Sequence, residues 1–275
     1  MTLNRRILAI LLAHVATLSL LTACSLHYQA KPKEEQNFIE KALSDFDAEA
    51  FGKDKSYAVV SIIADPQIRQ TQGERSLAGM FNAFKKDAGY TQDSSTVLTK
   101  TVPVVFKELK RAETFSLLSE KRVLSSADYQ QLESDTPRVL WVTQSVAPGY
   151  KYFSGNKKLA ELARALNVDG VLVLSLQYGF APSGTTVNGV VSIGSRYAMT
   201  TIGVRAVDRE GNTVWKTTAR GISQELEDQS AVAESINFTK LEPHLVGTTR
   251  DATRNLLNDL KEKVGMAAQK EKVGA

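Results

Sequence analysis

The sequence predicts an α/β fold: a single three-layer domain, with a mixed β-sheet flanked by helices and a long β-hairpin. Three observations lead there. Residues 57–64 (YAVVSIIA) and 171–178 (VLVLSLQY) are near-continuous apolar runs, the pattern of strands covered on both faces. Segments with apolar residues at helical spacing lie around both runs. The second half also carries a long strand signal, a polar turn and a returning strand.

The elements follow in order. Phe38, Ile39, Ala42, Leu43 and Phe46 fall on one helical face, with Gly52 as the stop. The first buried strand ends at Asp65-Pro66. Residues 76–88 present Leu77, Met80, Phe81 and Phe84 as a helical stripe. Residues 94–111 repeat it with Val97, Leu98, Val102, Val105, Phe106 and Leu109, Pro103 marking a kink or a start. Residues 115–118 and 138–143 read as short strands, and Ser125 to Asp128 as a helix-capping turn. Residues 157–166 (KKLAELARAL) form a helix capped by Ser154 and ended at residues 167–170. After the second buried strand, residues 181–186 read as a loop of small, polar, Pro and Gly residues. Residues 187–207 read as a strand. Within it the apolar residues change parity: Val191, Ile193, Tyr197 and Met199 are odd, while Ile202, Val204 and Ala206 are even. That change predicts a bulge or a change of partner near Thr200-Thr201. Residues 208–212 (DREGN) form a hairpin turn, and residues 213–220 return with Val214 and Trp215. Pro243 opens a last helix with Leu245, Val246, Ala252, Leu256, Leu257, Leu260 and Val264 as its stripe.

The first 23 residues read as a targeting segment. Arg5 and Arg6 form a basic start, and residues 7–21 are almost wholly apolar but short for a membrane-spanning helix. Leu21-Thr22-Ala23-Cys24 resembles the lipobox of bacterial lipoproteins. That resemblance implies cleavage between Ala23 and Cys24 and a diacylglycerol on the Cys24 thiol. Cys24 is the single cysteine, so no intramolecular disulfide forms. One acyl chain binds a membrane marginally and two or more hold stably. Ser25 then implies the outer membrane, facing the periplasm, since the enterobacterial pattern uses an aspartate there for inner-membrane retention. The expected organisation is a leader over 1–23, a lipid-anchored tether over 24–33, a periplasmic domain over 34–265 and a flexible tail over 266–275.

Charge and composition exclude several classes. The hydrophobic share of 43% excludes wholesale disorder. Without Arg5 and Arg6, 32 basic residues face 30 acidic ones, so the pI of 9.0 does not point to nucleic acid. No metal or other cofactor is expected. Beyond the leader only His27 and His244 remain, far apart and without ligand-spaced partners; His244 reads as a surface or capping residue. No Walker or Rossmann glycine motif occurs. Ser154-Gly155-Asn156-Lys157 fits the Ser-x-x-Lys pattern of penicillin-binding enzymes. Its companions, Ser235-Ile236-Asn237 and Lys216-Thr217-Thr218, are incomplete and in reversed order. Trp141 and Trp215 read as core residues in strands, or as partner surface if exposed.

The step from Asn167-Val168-Asp169-Gly170 into residues 171–174 resembles one in the curli production assembly/transport component-like lipoproteins. The hairpin over residues 204–215, with its aspartate, glycine and tryptophan, is similar to another of theirs. Residues 115–129 look like their strand-to-helix entry. The resemblance spans residues 55–263 and implies a three-layer α/β domain with a mixed sheet. Related domains occur in lipoproteins that activate peptidoglycan synthases and in the amino-terminal domain of the Tol-Pal propeller protein. The curli pore uses two membrane hairpins per subunit. Residues 187–199 supply one such strand and the sequence offers no matching set of three more, so the pore is not carried over.

The reading that results is a non-catalytic lipoprotein, attached to the membrane through Cys24. It is expected to bind another envelope protein or itself through the loop residues Ser183, Gly184, Thr185 and Thr186, which have little apolar area to bury. The alternatives are a cell-wall serine enzyme using Ser154 and Lys157, or a pore-forming oligomer.

Overall fold

The computed structural model describes residues 45–70, 91–139, 141–182, 185–187, 191–193, 196–224 and 237–274. Contacts divide the chain into residues 1–35 and 36–275, and all described residues belong to the second unit. The leader, Cys24 and the helices expected over residues 34–44 and 76–88 lie outside the described residues.

The central element is a mixed sheet in the order β1 (Asp45–Phe46), β13 (Thr213–Ile222), β12 (Arg196–Asp208), β9 (Gly170–Pro182), β2 (Ser56–Ala64) and β5 (Ser116–Leu117). β2 runs parallel to both β9 and β5, while β9, β12 and β13 form an antiparallel meander with β1 at its edge. β3 (Gln67–Gln70) joins β9 beyond the end of β2 and pairs with β4 (Thr91–Asp93), and β8 (Ser145–Val146) joins the end of β2. One face is packed by α1 (Ser95–Leu109) and α5 (Phe238–Gly274). The other is packed by α2 (Glu120–Leu124), α3 (Ala127–Gln131) and α4 (Asn156–Ala165). These are the three layers that the two apolar runs predict.

The buried strands show why their sequences look continuous. On β9, Leu172, Leu174, Leu176, Tyr178 and Phe180 join the α1/α5 core, while Val171 and Val173 join the core beneath α2, α3 and α4. On β2 the pattern is offset. Tyr57 and Val59 face α1 and α5, but so do Ile62 and Ala64, because the register with β9 shifts between Val59 and Ser61. A run apolar at every position hides such a bulge. The structure compensates for it: the Tyr129 hydroxyl donates to the Val60 carbonyl at 3.0 Å, and the Phe153 N–H donates to Ser61 Oγ at 3.1 Å.

Several expectations are corrected. Asp45–Phe46 is a strand on β13, not the end of a helix. Of the two readings of Pro103, the helix start is excluded, since Pro103 lies inside α1; Pro243 lies inside α5, which begins at Phe238 and continues past Gly265 to Gly274. Residues 138–143 are not one strand. They form a hairpin of β6 (Arg138–Val139) and β7 (Val142–Thr143). The expected loop over residues 181–186 is strand at its described positions: Ala181 and Pro182 end β9, while Thr185 and Thr186 lie in β10 (Thr185–Val187), paired with β11 (Val191–Ile193).

No bulge occurs at Thr200-Thr201, where β12 pairs with β9 without interruption from Arg196 to Asp208. The register with β13 shifts instead at Ala206/Val207. The even residues Ala198, Thr200, Ile202, Val204 and Ala206 are all buried. Thr200 occupies its core position because its hydroxyl meets Thr248 Oγ1 at 2.8 Å and the Leu245 carbonyl at 3.3 Å on α5. Tyr197 and Met199 stay half-buried on the other parity.

The turn over residues 208–212 is as expected. Gly211 adopts φ +94°, open to glycine, and Asp208 Oδ1 accepts from the Asn212 N–H at 2.7 Å.

Candidate interaction surface

The β9–β12–β13 meander presents one face to α5 and the other only partly to α4. Cross-strand neighbours on the second face form successive rows. The first is Val173, Arg205 and Lys216, with Asp45 opposite Lys216 at the edge. The next are Ser175, Gly203 and Thr218; then Gln177, Thr201 and Arg220; then Gly179, Met199 and Ile222. Beyond the first row no described helix lies over them. Ser175, Lys216, Thr218 and Ile222 are exposed, Gln177, Met199, Arg205 and Arg220 are half-buried, and Val173, Gly179, Thr201 and Gly203 are buried.

The face is level because its centre is small. A Cβ on Gly203 would stand 2.5 Å from Ser175 Oγ, so Ser175 leans across the glycine. Arg205 donates to the carbonyls of Ser154 at 2.9 Å and Phe153 at 3.4 Å, and burial draws its pKa below the ordinary guanidinium value. Arg220 Nε donates to Thr201 Oγ1 at 3.4 Å. Beyond the first row, two rows carry hydroxyls, an amide and Arg220, the last carries Met199 and Ile222, and none carries an acid. Such a surface offers hydrogen-bond donors and positive charge on one face of the sheet.

The Ser154 neighbourhood has a different character. Asp135 Oδ2 accepts from both the backbone N–H and the hydroxyl of Ser154 at 2.8 Å, and Lys158 Nζ donates to Asp135 Oδ1. The Lys158 hydrogen bond, followed by the Ser154 N–H, holds the Asp135 pKa at about 2. A carboxylate held that low is a poor base for a serine proton. Lys157 is exposed and makes no hydrogen bond to Ser154. Ser154 does not cap α4 either: the cap position is Gly155, and the Ser154 side chain is turned to Asp135. Ser154→Ala is therefore expected to cost about 1 kcal/mol or less, one partly exposed hydrogen bond. Cellular function should be unchanged, and a labelled β-lactam should not react with either form. Labelling that disappears with the serine would establish a nucleophile.

Of the other sequence candidates, Cys24, Ala23, His27, Ser183, Gly184 and Ser235 lie outside the described residues. Thr185 and Thr186 sit opposite Ile193 and Ser192 in the β10–β11 pair. His244 is on the surface of α5. The two tryptophans separate completely: Trp215 is 0% exposed and Trp141 is 90% exposed. Among the described residues no group of three or more His, Cys, Asp or Glu is placed to hold a metal ion, and no helix is long and apolar enough to cross a membrane. The open sheet face was not readable from sequence. Its one signal was the polar residues Ser175 and Gln177 at alternate positions of an otherwise apolar strand.

No family model matches the chain, and no curated protein sequence matches it. Solved structures to which it is similar include the LpoB C-terminal domain from Salmonella enterica, at 14% identity, over 69% of this chain and 94% of that one, with a TM-score of 0.29. The lipoprotein GNA1162 from Neisseria meningitidis shares 11% identity over 64% of this chain and 87% of its own, with a TM-score of 0.29. The hypothetical protein CT253 from Chlamydia trachomatis shares 12% identity over 77% and 98%, with a TM-score of 0.33.

Proposed function

We propose that this chain is a non-catalytic lipoprotein of the bacterial outer membrane, held at the periplasmic surface by acylated Cys24, and that it works as an interaction module for an envelope protein. The observation that carries the interaction reading is the open face of β9, β12 and β13. Its small central residues admit close approach of another surface. Arg205, Lys216 and Arg220 favour a partner that presents carboxylates there. The lipobox-like Leu21-Thr22-Ala23-Cys24 supports the lipoprotein part of the reading. Anchoring adds to this physically, since a tethered domain meets membrane-bound partners at a raised effective concentration. The Ser183 to Thr186 stretch, at the far end of β9 and in β10, is assigned a second set of contacts.

Two measurements test the reading. Cys24→Ala should move the protein out of the membrane fraction or stop its processing; a cleaved Ala variant that stays membrane-bound would place the anchor elsewhere. Ser175→Glu with Thr218→Glu puts two acids beside Arg205 and Arg220 at exposed positions. Its stability should stay within about 0.5 kcal/mol of the parent, as for most surface changes. Crosslinking to the envelope partner in intact cells should fall several-fold. Unchanged crosslinking would remove the face from the interface, and sedimentation of the same variant tells partner binding from self-association. Shortening residues 183–186 should likewise spare melting and weaken association.

A further inference from the structure

The β6–β7 hairpin places a tryptophan where hairpin chemistry argues against one. Val139 pairs with Val142, so the turn holds two residues, the second being Trp141. Two-residue turns of this kind use left-handed backbone and select Asn, Asp or Gly. Trp141 adopts φ +71°, one of two non-glycine residues with positive φ among those described; the other is Asn167, a residue type that tolerates it. The ring gains no burial in return, being 90% exposed, and Val139 beside it is 40% exposed. Local backbone preference and apolar burial are thus both violated at one position, the mark of a residue kept for contact with something outside the chain.

The base of the hairpin is held. Gln144 N–H donates to the Pro137 carbonyl at 2.6 Å, and Asp135 N–H donates to the Tyr152 carbonyl at 2.8 Å. Asp135 is tied to Ser154 and Lys158, and Lys151 Nζ donates to the Leu132 carbonyl at 2.8 Å. A fixed stem therefore carries an apolar tip with exposed Arg138 beside it.

We propose that Trp141 and Val139 form a membrane-contact tip that enters the lipid–water interface beside the anchor. Indole prefers that interface, where its body meets acyl chains and its N–H meets headgroups. A specific protein interface needs roughly 1,000 Å² of buried surface, and a two-residue tip supplies a small fraction of that. A tip on a tethered domain needs far less, because the tether makes insertion intramolecular. The tether expected over residues 24–33 spans ten positions, a reach of about 35 Å when extended, which keeps the domain close to the bilayer. The proposal rests on the Cys24 anchor for this proximity and on the hairpin alone for its geometry.

Two tryptophans make the test specific. The purified acylated protein is reconstituted in phosphatidylethanolamine/phosphatidylglycerol vesicles, with and without lipids brominated on the upper acyl chain. Trp141 emission should shift to the blue relative to the Cys24→Ala protein in buffer. The bromolipid should quench about half of the total, the share of one tryptophan of two. Trp141→Phe should abolish the quenching and leave the emission of buried Trp215. Trp141→Asn, suited to the left-handed turn, should melt at or above the parent temperature and show no loss of fold. Unquenched, solvent-like Trp141 emission in the vesicles overturns the proposal, as does burial of Trp141 only when a second protein is added. If mass spectrometry finds Cys24 unacylated, the anchor reading fails by itself. Coupling that single thiol to a maleimide lipid in the same vesicles then restores the tether, and the quenching still decides for or against the hairpin tip.

Discussion

Gly221→Ala is expected to destabilise the protein by about 3 kcal/mol, the upper range for forced overpacking of a tight interface. Gly221 lies near the end of β13, where α5 crosses the sheet. A Cβ there would stand 2.0 Å from the Thr248 carbonyl oxygen and 2.7 Å from the Ala252 nitrogen. Both are helix backbone atoms, so no side-chain rotation relieves the clash. The helix itself must move away from β13, together with the Thr248 hydroxyl that meets Thr200. The control is Gly247 in the same helix. A Cβ at that position meets nothing within 4 Å, so Gly247→Ala should stabilise by up to about 1 kcal/mol through helix propensity. Denaturant midpoints of the two variants should therefore move in opposite directions. Coincident curves would mean that α5 does not pack on β13 at Gly221.

Trp215→Ala should cost about 4 kcal/mol, as for large aromatic residues removed from a core. Trp215 is fully buried on β13, edge-on to Phe51 with ring centroids 5.7 Å apart, and opposite Ala206 on β12. Phe51 in turn stacks on Tyr57 at 5.0 Å and meets Phe115, so the indole closes an aromatic cluster at this end of the sheet. Its Nε1 is buried without a hydrogen-bond partner. An unmet donor of that kind costs about 1–3 kcal/mol. Trp215→Phe removes it along with part of the ring, so its loss should be well under half that of the alanine variant. Equal losses for Phe and Ala would show that the N–H is satisfied in solution. A loss below 1 kcal/mol for Ala would show that the cluster is not a core.

The salt link between α1 and α5 illustrates what sequence reading misses. Glu108 is buried, Arg254 Nε donates to it at 3.0 Å, and Arg111 Nη1 donates at 3.0 Å. Burial alone would raise its pKa; the hydrogen bonds of Arg254 and Arg111 outweigh that and leave it below the ordinary glutamate value. In the sequence, Glu108 is one polar residue near the end of an amphipathic helix, and its main partner lies 146 residues away.

The elements with strong local signals were legible. The β2 and β9 runs, the α4 stripe and the Asp208-to-Asn212 turn are all where their residues indicate, because period and turn chemistry act over a few neighbours. Positions that depend on a distant partner were not. Ser154 read as a helix cap until Asp135, 19 residues back, claimed its hydroxyl. The change of apolar parity after Met199 read as a bulge or a change of partner near Thr200-Thr201, yet β12 keeps its even parity buried throughout, with the Thr200 hydroxyl satisfied by Thr248. The strand signal over residues 187–207 read as one strand, whereas Val187 ends β10, Val191–Ile193 form its partner β11, and β12 begins at Arg196.

By itself the sequence determined the α/β class, the mixed sheet between helical layers and the main hairpin, since amphipathic period and continuous apolar runs admit few other arrangements. Only the tertiary structure decided which strand faces are covered. The two tryptophans show the reason. Val142 follows Trp141 and Val214 precedes Trp215, and both indoles sit in apolar, strand-forming runs. One is sealed by Phe51 beneath α5, and the other stands in solvent at a two-residue turn. Burial is set by what packs over a residue, and those packing groups come from segments far along the chain.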